Sequence, residues 1–153
     1  MGSPRHIVFD CDGTLLNSKD NGKPFKGMGE LLHRLKAADC TLYIWTGRDR
    51  ASLEKWLTET NFHRYFAEVR CAHEGQPKPH PEGLIDMLKD VDASHCAVVG
   101  DTWADMKGAK MFGAHAVGAL WDGAANREAL LEFGADVLVS SPEECYNVLL
   151  QML

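Results

Sequence analysis

HIVFDCDGTL, residues 6–15, decides the fold. Ile7, Val8 and Phe9 form an apolar run that stops at Asp10-Cys11-Asp12, and Gly13-Thr14 then turn the chain. Consecutive apolar residues over so short a length suit a strand buried on both faces of a parallel sheet. A strand of that kind that ends in two acids and a turn carries polar chemistry at its carboxyl end.

Working outward, the same pattern recurs along the chain. Strand candidates are HIVFD (6–10), CTLYIW (40–45), AEVRC (67–71), HCAVVGD (95–101), HAVGAL (115–120) and DVLV (136–139). Amphipathic stretches lie between them. Met28, Leu31, Leu32 and Leu35 recur at helical spacing, as do Leu53, Trp56, Leu57 and Thr60, and Cys145, Val148, Leu149 and Met152. Ser141-Pro142-Glu143-Glu144 opens the last helix with a cap residue, a first-turn proline and acids at the positive dipole end. Strand–helix alternation predicts right-handed crossovers and a mostly parallel, doubly wound sheet in a three-layer α/β fold. Residues 13–27, GTLLNSKDNGKPFKG, read as a long irregular loop with turns at Asn21-Gly22 and Lys23-Pro24.

In such sheets ligands bind at the carboxyl ends of the strands. The first strand ends in Asp10 and Asp12, the second in Thr46-Gly47-Arg48, and the fourth in Gly100-Asp101 with Asp105 one turn on. Lys78 precedes the helix after the third. Three or four carboxylates in one small volume repel each other, so the cluster calls for a divalent cation and an ammonium. An oxygen-only donor set suits Mg²⁺, which keeps several waters and binds through one or two carboxylates and a phosphate.

DxDGTL at 10–15, a strand ending TGR at 46–48, Lys78 and GDxxxD at 100–105 resemble, in order, the motifs of the haloacid-dehalogenase-like superfamily. KPHPEGL and GDTWADMKGAKMFGA resemble its phosphoglycolate-phosphatase-like branch. The resemblance implies a sheet order 3-2-1-4-5-6 in the strand numbering above. It also implies a Mg²⁺-dependent phosphomonoester hydrolase acting through an aspartyl-phosphate. Asp10 would be the nucleophile, Asp12 the general acid and base, and Lys78 the charge partner of nucleophile and phosphate. Thr46 and the amide of Gly47 would hold phosphoryl oxygens. Mg²⁺ would be held by Asp10, the backbone carbonyl of Asp12, and Asp101, with Asp105 close behind; Asp105 would double as a first-turn acid on the helix dipole. Dehalogenases of the superfamily lack an acid at the position of Asp12.

Members of that branch usually insert a cap domain after the first motif. Here Asp12 and Thr46 stand 34 positions apart and Thr46 and Lys78 stand 32 apart, both spans being used by core elements. The expectation is a single domain over 1–153 with no cap and only the 13–27 loop as a flap. That favours either a phosphorylated substrate larger than phosphoglycolate, small molecule or macromolecule, or a covering surface supplied by a second subunit. The competing readings are a phosphorylation switch and a binding protein that retains the fold. A receiver-type switch carries its phospho-acceptor on the third strand, which the Asp10-Cys11-Asp12 run does not match.

The composition agrees. The 153 residues are 45% hydrophobic and 25% charged, with a formal net charge of −6, and no basic run offers a nucleic-acid grip. No apolar run reaches the roughly 20 residues that span a bilayer. The start MGSPRHIVFDCD enters a strand without a signal-peptide core, and His6 stands where myristoylation wants Ser or Thr, so the expectation is a cytoplasmic protein. Five cysteines without CxxC spacing argue against a disulfide framework. Cys71, His73 and His80 are too few ligands for a closed structural zinc site. Trp45, Trp103 and Trp121 fall at or beyond strand ends and Trp56 on a helix. Packing is the reading for all four, with Trp103 the one candidate for a substrate rim.

Overall fold

In the computed structural model, which describes residues 4–153, β1 (Arg5–Phe9) lies in the interior of a six-stranded sheet. The other strands are β4 (Cys40–Trp45), β5 (Phe66–Arg70), β6 (Cys96–Gly100), β7 (His115–Ala119) and β8 (Val137–Val139). The order is β5-β4-β1-β6-β7-β8 with every pair parallel, which is the expected 3-2-1-4-5-6. The connecting helices are α1 (Met28–Ala37), α2 (Arg50–Thr60), α3 (Glu82–Met87), α4 (Trp103–Phe112), α5 (Arg127–Glu132) and α6 (Pro142–Met152). Met1 and Gly2, considered above for lipidation, lie outside the described residues.

The strand period of two sorts the core into two layers. Ile7 and Phe9 face one way and pack with Leu42, Ile44 and Val99 against α1, α2 and α6. Val8 faces the other way, joining Tyr43, Trp45 and Val98 against α3, α4 and α5. Met28, Leu31, Leu32 and Leu35 are all buried on α1, as their spacing predicts. Ser141 caps α6 by accepting from Glu144 N–H at 3.1 Å, with Pro142 in its first turn. β5 is an edge strand and only partly covered.

The structure corrects the reading of residues 13–27. They fold as a small hairpin, β2 (Leu16–Asn17) against β3 (Lys23–Pro24), with Asn21 and Gly22 at φ 54° and 73° in the turn. Leu15 and Leu16 are buried beneath it, and Trp56 Nε1 donates to Gly22 O at 2.6 Å, tying its tip to α2. Two-residue strands are too short to show alternation. Of the two turns expected, only Asn21-Gly22 is one, and Lys23-Pro24 is strand β3 instead.

Between Asp12 and Thr46 the described chain makes this hairpin, α1 and β4; between Thr46 and Lys78 it makes α2 and β5. No domain is inserted in either span. Among the described residues, no helix is long and apolar enough to cross a membrane.

Candidate active site

Asp10 sits one residue beyond β1, and its N–H still donates to Val99 O at 3.0 Å, continuing the ladder to β6. Thr46 likewise extends β4, donating to Arg70 O at 2.9 Å. Sheet hydrogen bonds thus hold both residues at the same carboxyl edge before any side-chain contact is counted.

The carboxylates of Asp10, Asp101 and Asp105 converge, with one oxygen from each within 4.8 Å of the others. Among the described residues this is the one group of three or more potential ligating side chains drawn so close. Lys78 reaches in from the loop before α3, donating to Asp10 Oδ1 at 3.0 Å and to Asp105 Oδ1 at 2.6 Å. Cys11 N–H also donates to Asp10 Oδ1, at 2.8 Å. Thr14 Oγ1 donates to Asp101 at 3.2 Å, and Trp121 Nε1 steadies that turn by donating to Thr14 O at 2.8 Å. Asp105 accepts from Thr102 N–H at 3.2 Å while binding Lys78, so it serves the start of α4 and the site together. Gly13, at φ 84°, is required here, because a Cβ would stand 2.0 Å from Asp101 Oδ2.

Burial sets the charge state of the cluster. It pushes Asp10 up to about 7 against the pull of Lys78, and the bond and charge of Asp101 add to the rise. Burial, then the charge of Asp10, pushes Asp105 up to about 6, and Asp101 is raised by burial first. For Lys78 burial disfavours the ammonium, but Asp10 and Asp105 outweigh it and hold the group charged above its ordinary value. Three carboxylates against one ammonium leave a deficit that a single divalent cation closes. The donors are hard oxygens, so the residues present fit Mg²⁺.

Asp12 stands apart from the carboxylate cluster. Its Oδ1 accepts from Arg48 Nη2 at 2.6 Å and its Oδ2 from Arg48 Nε at 3.2 Å, a bidentate pair, while Arg48 Nη1 donates to Ser52 Oγ at 2.6 Å. The bond to Asp12 raises Arg48 further above its ordinary value. Thr46 Oγ1 accepts from Arg48 N–H at 3.0 Å. A cleft of about 540 Å³ joins Asp10, Asp12, Thr46, Gly47, Arg48 and Lys78. All the predicted nucleophile, acid–base, phosphate and lysine positions therefore face one space. Arg48, to which sequence reasoning gave no role, lines this cleft and pairs with Asp12. Its signal was the TGR motif itself, which puts Arg48 just beyond the end of β4 and immediately before the Asp49 cap of α2.

Trp45 and Trp56 are buried and Trp121 is half-buried, as packing predicts. Trp103 departs from that reading. It is 43% exposed, with its ring 5.1 Å from that of Phe133 on the α4–α5 face.

Residues 18–119 match the family described as haloacid dehalogenase-like hydrolase. The chain belongs to that family. The matched span takes in Thr46, Lys78, Asp101 and Asp105 and begins after Asp10 and Asp12. The chain is 39% identical over 103 residues to the probable phosphatase IndB of Dickeya dadantii, covering 65% of this chain and 45% of the relative. It is 30% identical over 127 residues to phosphoglycolate phosphatase of Xanthomonas campestris pv. campestris, covering 80% of this chain and 57% of that one. The chain thus spans about half the length of these curated relatives. A haloacid dehalogenase-like family hydrolase from Streptococcus pneumoniae superposes with a TM-score of 0.80 at 19% identity, over 95% of this chain and 98% of that one. At that identity the likeness is one of fold.

Proposed function

We propose that this chain is a Mg²⁺-dependent phosphomonoester hydrolase working through an aspartyl-phosphate, as one domain over residues 1–153. The observation that carries the reading is the position of Asp10, at a strand end against Lys78, with Asp101 and Asp105 closing the cluster. The matches to a probable phosphatase and a phosphoglycolate phosphatase support it.

An Asp10 carboxylate oxygen would attack phosphorus, forming the Asp10–phosphate bond as the bond to the leaving oxygen breaks. Asp12 would give that oxygen its proton, then take one from the water that attacks the phosphorus of the acyl phosphate. This second attack releases inorganic phosphate and returns Asp10. Thr46 Oγ1 and the Gly47 N–H would hold the phosphoryl oxygens, and Lys78 would offset the charge that gathers on them. Asp10, Asp101 and the Asp12 backbone carbonyl would hold Mg²⁺, with Asp105 next to them. The ion, when bound, supplies positive charge to the phosphoryl oxygens. Arg48 would keep the Asp12 carboxylate at the mouth of the cleft.

The substrate class we propose is a phosphorylated small molecule, larger than phosphoglycolate because no inserted domain covers the cleft. The five free cysteines suit a reducing compartment, and we place the protein in the cytoplasm on that ground. A screen of phosphomonoesters with Mg²⁺ and with EDTA tests the reading. Phosphate release that needs Mg²⁺ is expected. No release from any ester, or full release in EDTA, would remove the proposal.

A further inference from the structure

We infer that Trp45 is a positioning residue for Lys78, its indole serving as the platform that aims the ammonium at the reacting centre. The inference rests on the reading of Lys78 as part of that centre. Lys78 is carried on a loop and has four side-chain torsions to fix, an ordering cost that its contacts must offset. Of its two carboxylate partners, Asp10 changes its bonding as it takes up the phosphoryl group, which leaves Asp105, at 2.6 Å, as the one unchanging carboxylate. One fixed partner sets a distance and not a direction, so a second unchanging contact is what would keep Nζ aimed.

The indole provides one. Lys78 Nζ lies 4.9 Å from the centroid of the Trp45 ring, within range of a cation–π contact, for which tryptophan is the best partner. Trp45 is the last residue of β4, between β1 and β5, and is 2% exposed. Two glycines on different helices make the slot for it. A Cβ on Gly83 of α3 would stand 2.5 Å from Trp45 Nε1, and one on Gly108 of α4 would stand 2.4 Å from Cη2. The ring is thus wedged edge to edge between two helices, and it can swing toward neither. A second cleft, of about 360 Å³, is lined by Trp45, Thr46, Gly47 and Lys78 together with residues 70–77. Trp45 thus adjoins the phosphate-holding residues of the main cleft without lining that cleft itself.

The test compares Trp45→Leu, which fills space without a π face, with Trp45→Phe, which keeps a weaker one. Turnover of p-nitrophenyl phosphate in Mg²⁺ is measured per folded molecule in both, and again in a Lys78→Met background. Trp45→Leu should lower kcat by roughly ten-fold with little change in KM, the size of a partly desolvated cation–π contact. Trp45→Phe should recover part of the loss. In the Lys78→Met background the Trp45 substitutions should cost nothing further. Wild-type kcat in Trp45→Leu, or the same fold loss with and without Lys78, would overturn the inference. The second measurement is independent of catalysis. In protein with ¹³C-labelled lysine, the ε-CH₂ signal that disappears in Lys78→Met should carry an upfield ring-current shift that Trp45→Leu abolishes. An unshifted signal in the wild-type protein would overturn the inference even if Trp45→Leu failed to fold. Full activity in Lys78→Met would instead remove the proposed function, and the ring-current shift would still decide the place of Trp45.

Discussion

Asp10 is 8% exposed and its Oδ1 accepts from both Lys78 and Cys11 N–H, whereas the side chain of Asp12, two residues on, is 45% exposed and gives both oxygens to Arg48. The first pair stands in a desolvated cluster with two further carboxylates, and the second stands at the mouth of an open cleft. Two identical side chains in one turn have thereby acquired different capacities. Asp10 is nearly buried, reaches the cleft with little of its surface and lies close to the Lys78 ammonium, the setting that suits the nucleophile proposed above. Asp12 is reachable by solvent at the mouth of the cleft and paired with Arg48, the setting that suits the proton-passing role proposed above. The difference comes from where the backbone stops being a strand. Asp10 is still hydrogen-bonded to β6, and Asp12 is not in any strand.

The comparison is broken most severely by Asp10→Asn. The amide keeps the shape and removes the attacking carboxylate, so phosphate release should fall by several orders of magnitude while circular dichroism shows the fold retained. Activity near that of the wild type would mean that the buried carboxylate is not the nucleophile.

Asp12→Asn should act more selectively. With alkyl phosphates, whose leaving oxygen needs a proton, the loss should reach about 10²–10⁴, the range of general acid–base catalysis. With p-nitrophenyl phosphate it should be much smaller, and acid quench should trap phosphate on Asp10. Equal losses on both kinds of ester, with no trapped phosphate, would assign Asp12 to something other than proton transfer.

Arg48→Met leaves both aspartates in place and removes the partner of one. Because Asp12 is nearly half exposed and water screens the pair, the stability change in urea should stay below about 1 kcal/mol. The kinetic loss should follow the Asp12 pattern, larger for alkyl than for p-nitrophenyl esters, and smaller than that of Asp12→Asn. A uniform loss across esters would separate Arg48 from Asp12.

The smallest effect belongs to a third acid–base pair, Lys110 with Asp136, linked at 2.6 Å on the surface far along the sheet. Burial opposes the Asp136 charge, but the bonds from Lys110 and Ala116 N–H outweigh it and hold the carboxyl below its ordinary value. A depressed folded-state value means stability that is present above the unfolded value and lost as pH falls through the folded one. Asp136→Asn should therefore cost a few tenths of a kcal/mol at pH 7, after screening, and nothing once both forms are uncharged in acid. Urea melts at the two pH values measure this. A difference that persists in acid would trace to packing rather than charge.

The parallel sheet, its covering helices and the edge that carries Asp10, Thr46 and Asp101 were legible because local patterns report them, whereas the strand order came from the family resemblance. An apolar run that ends in acids shows where a strand stops, and helical spacing shows which face is covered. The hairpin at 16–24 was not legible, since its strands are shorter than one period of alternation. Trp103, read as packing with a substrate rim as its alternative, stands 43% exposed at the first position of α4 beside Phe133, and average burial reports nothing of such a position.

From the sequence alone came the chemistry available: two aspartates at one strand end, a lysine and two further acids placed so that a parallel sheet must gather them. Only the tertiary structure decided how those charges are shared. Lys78 went to Asp10 and Asp105, Arg48 to Asp12, and Trp45 into a slot cut by glycines on two helices. The reason is physical. Spacing along a chain sets which edge a residue reaches, but pairing energy depends on distances and burial, which exist only once separate elements have packed.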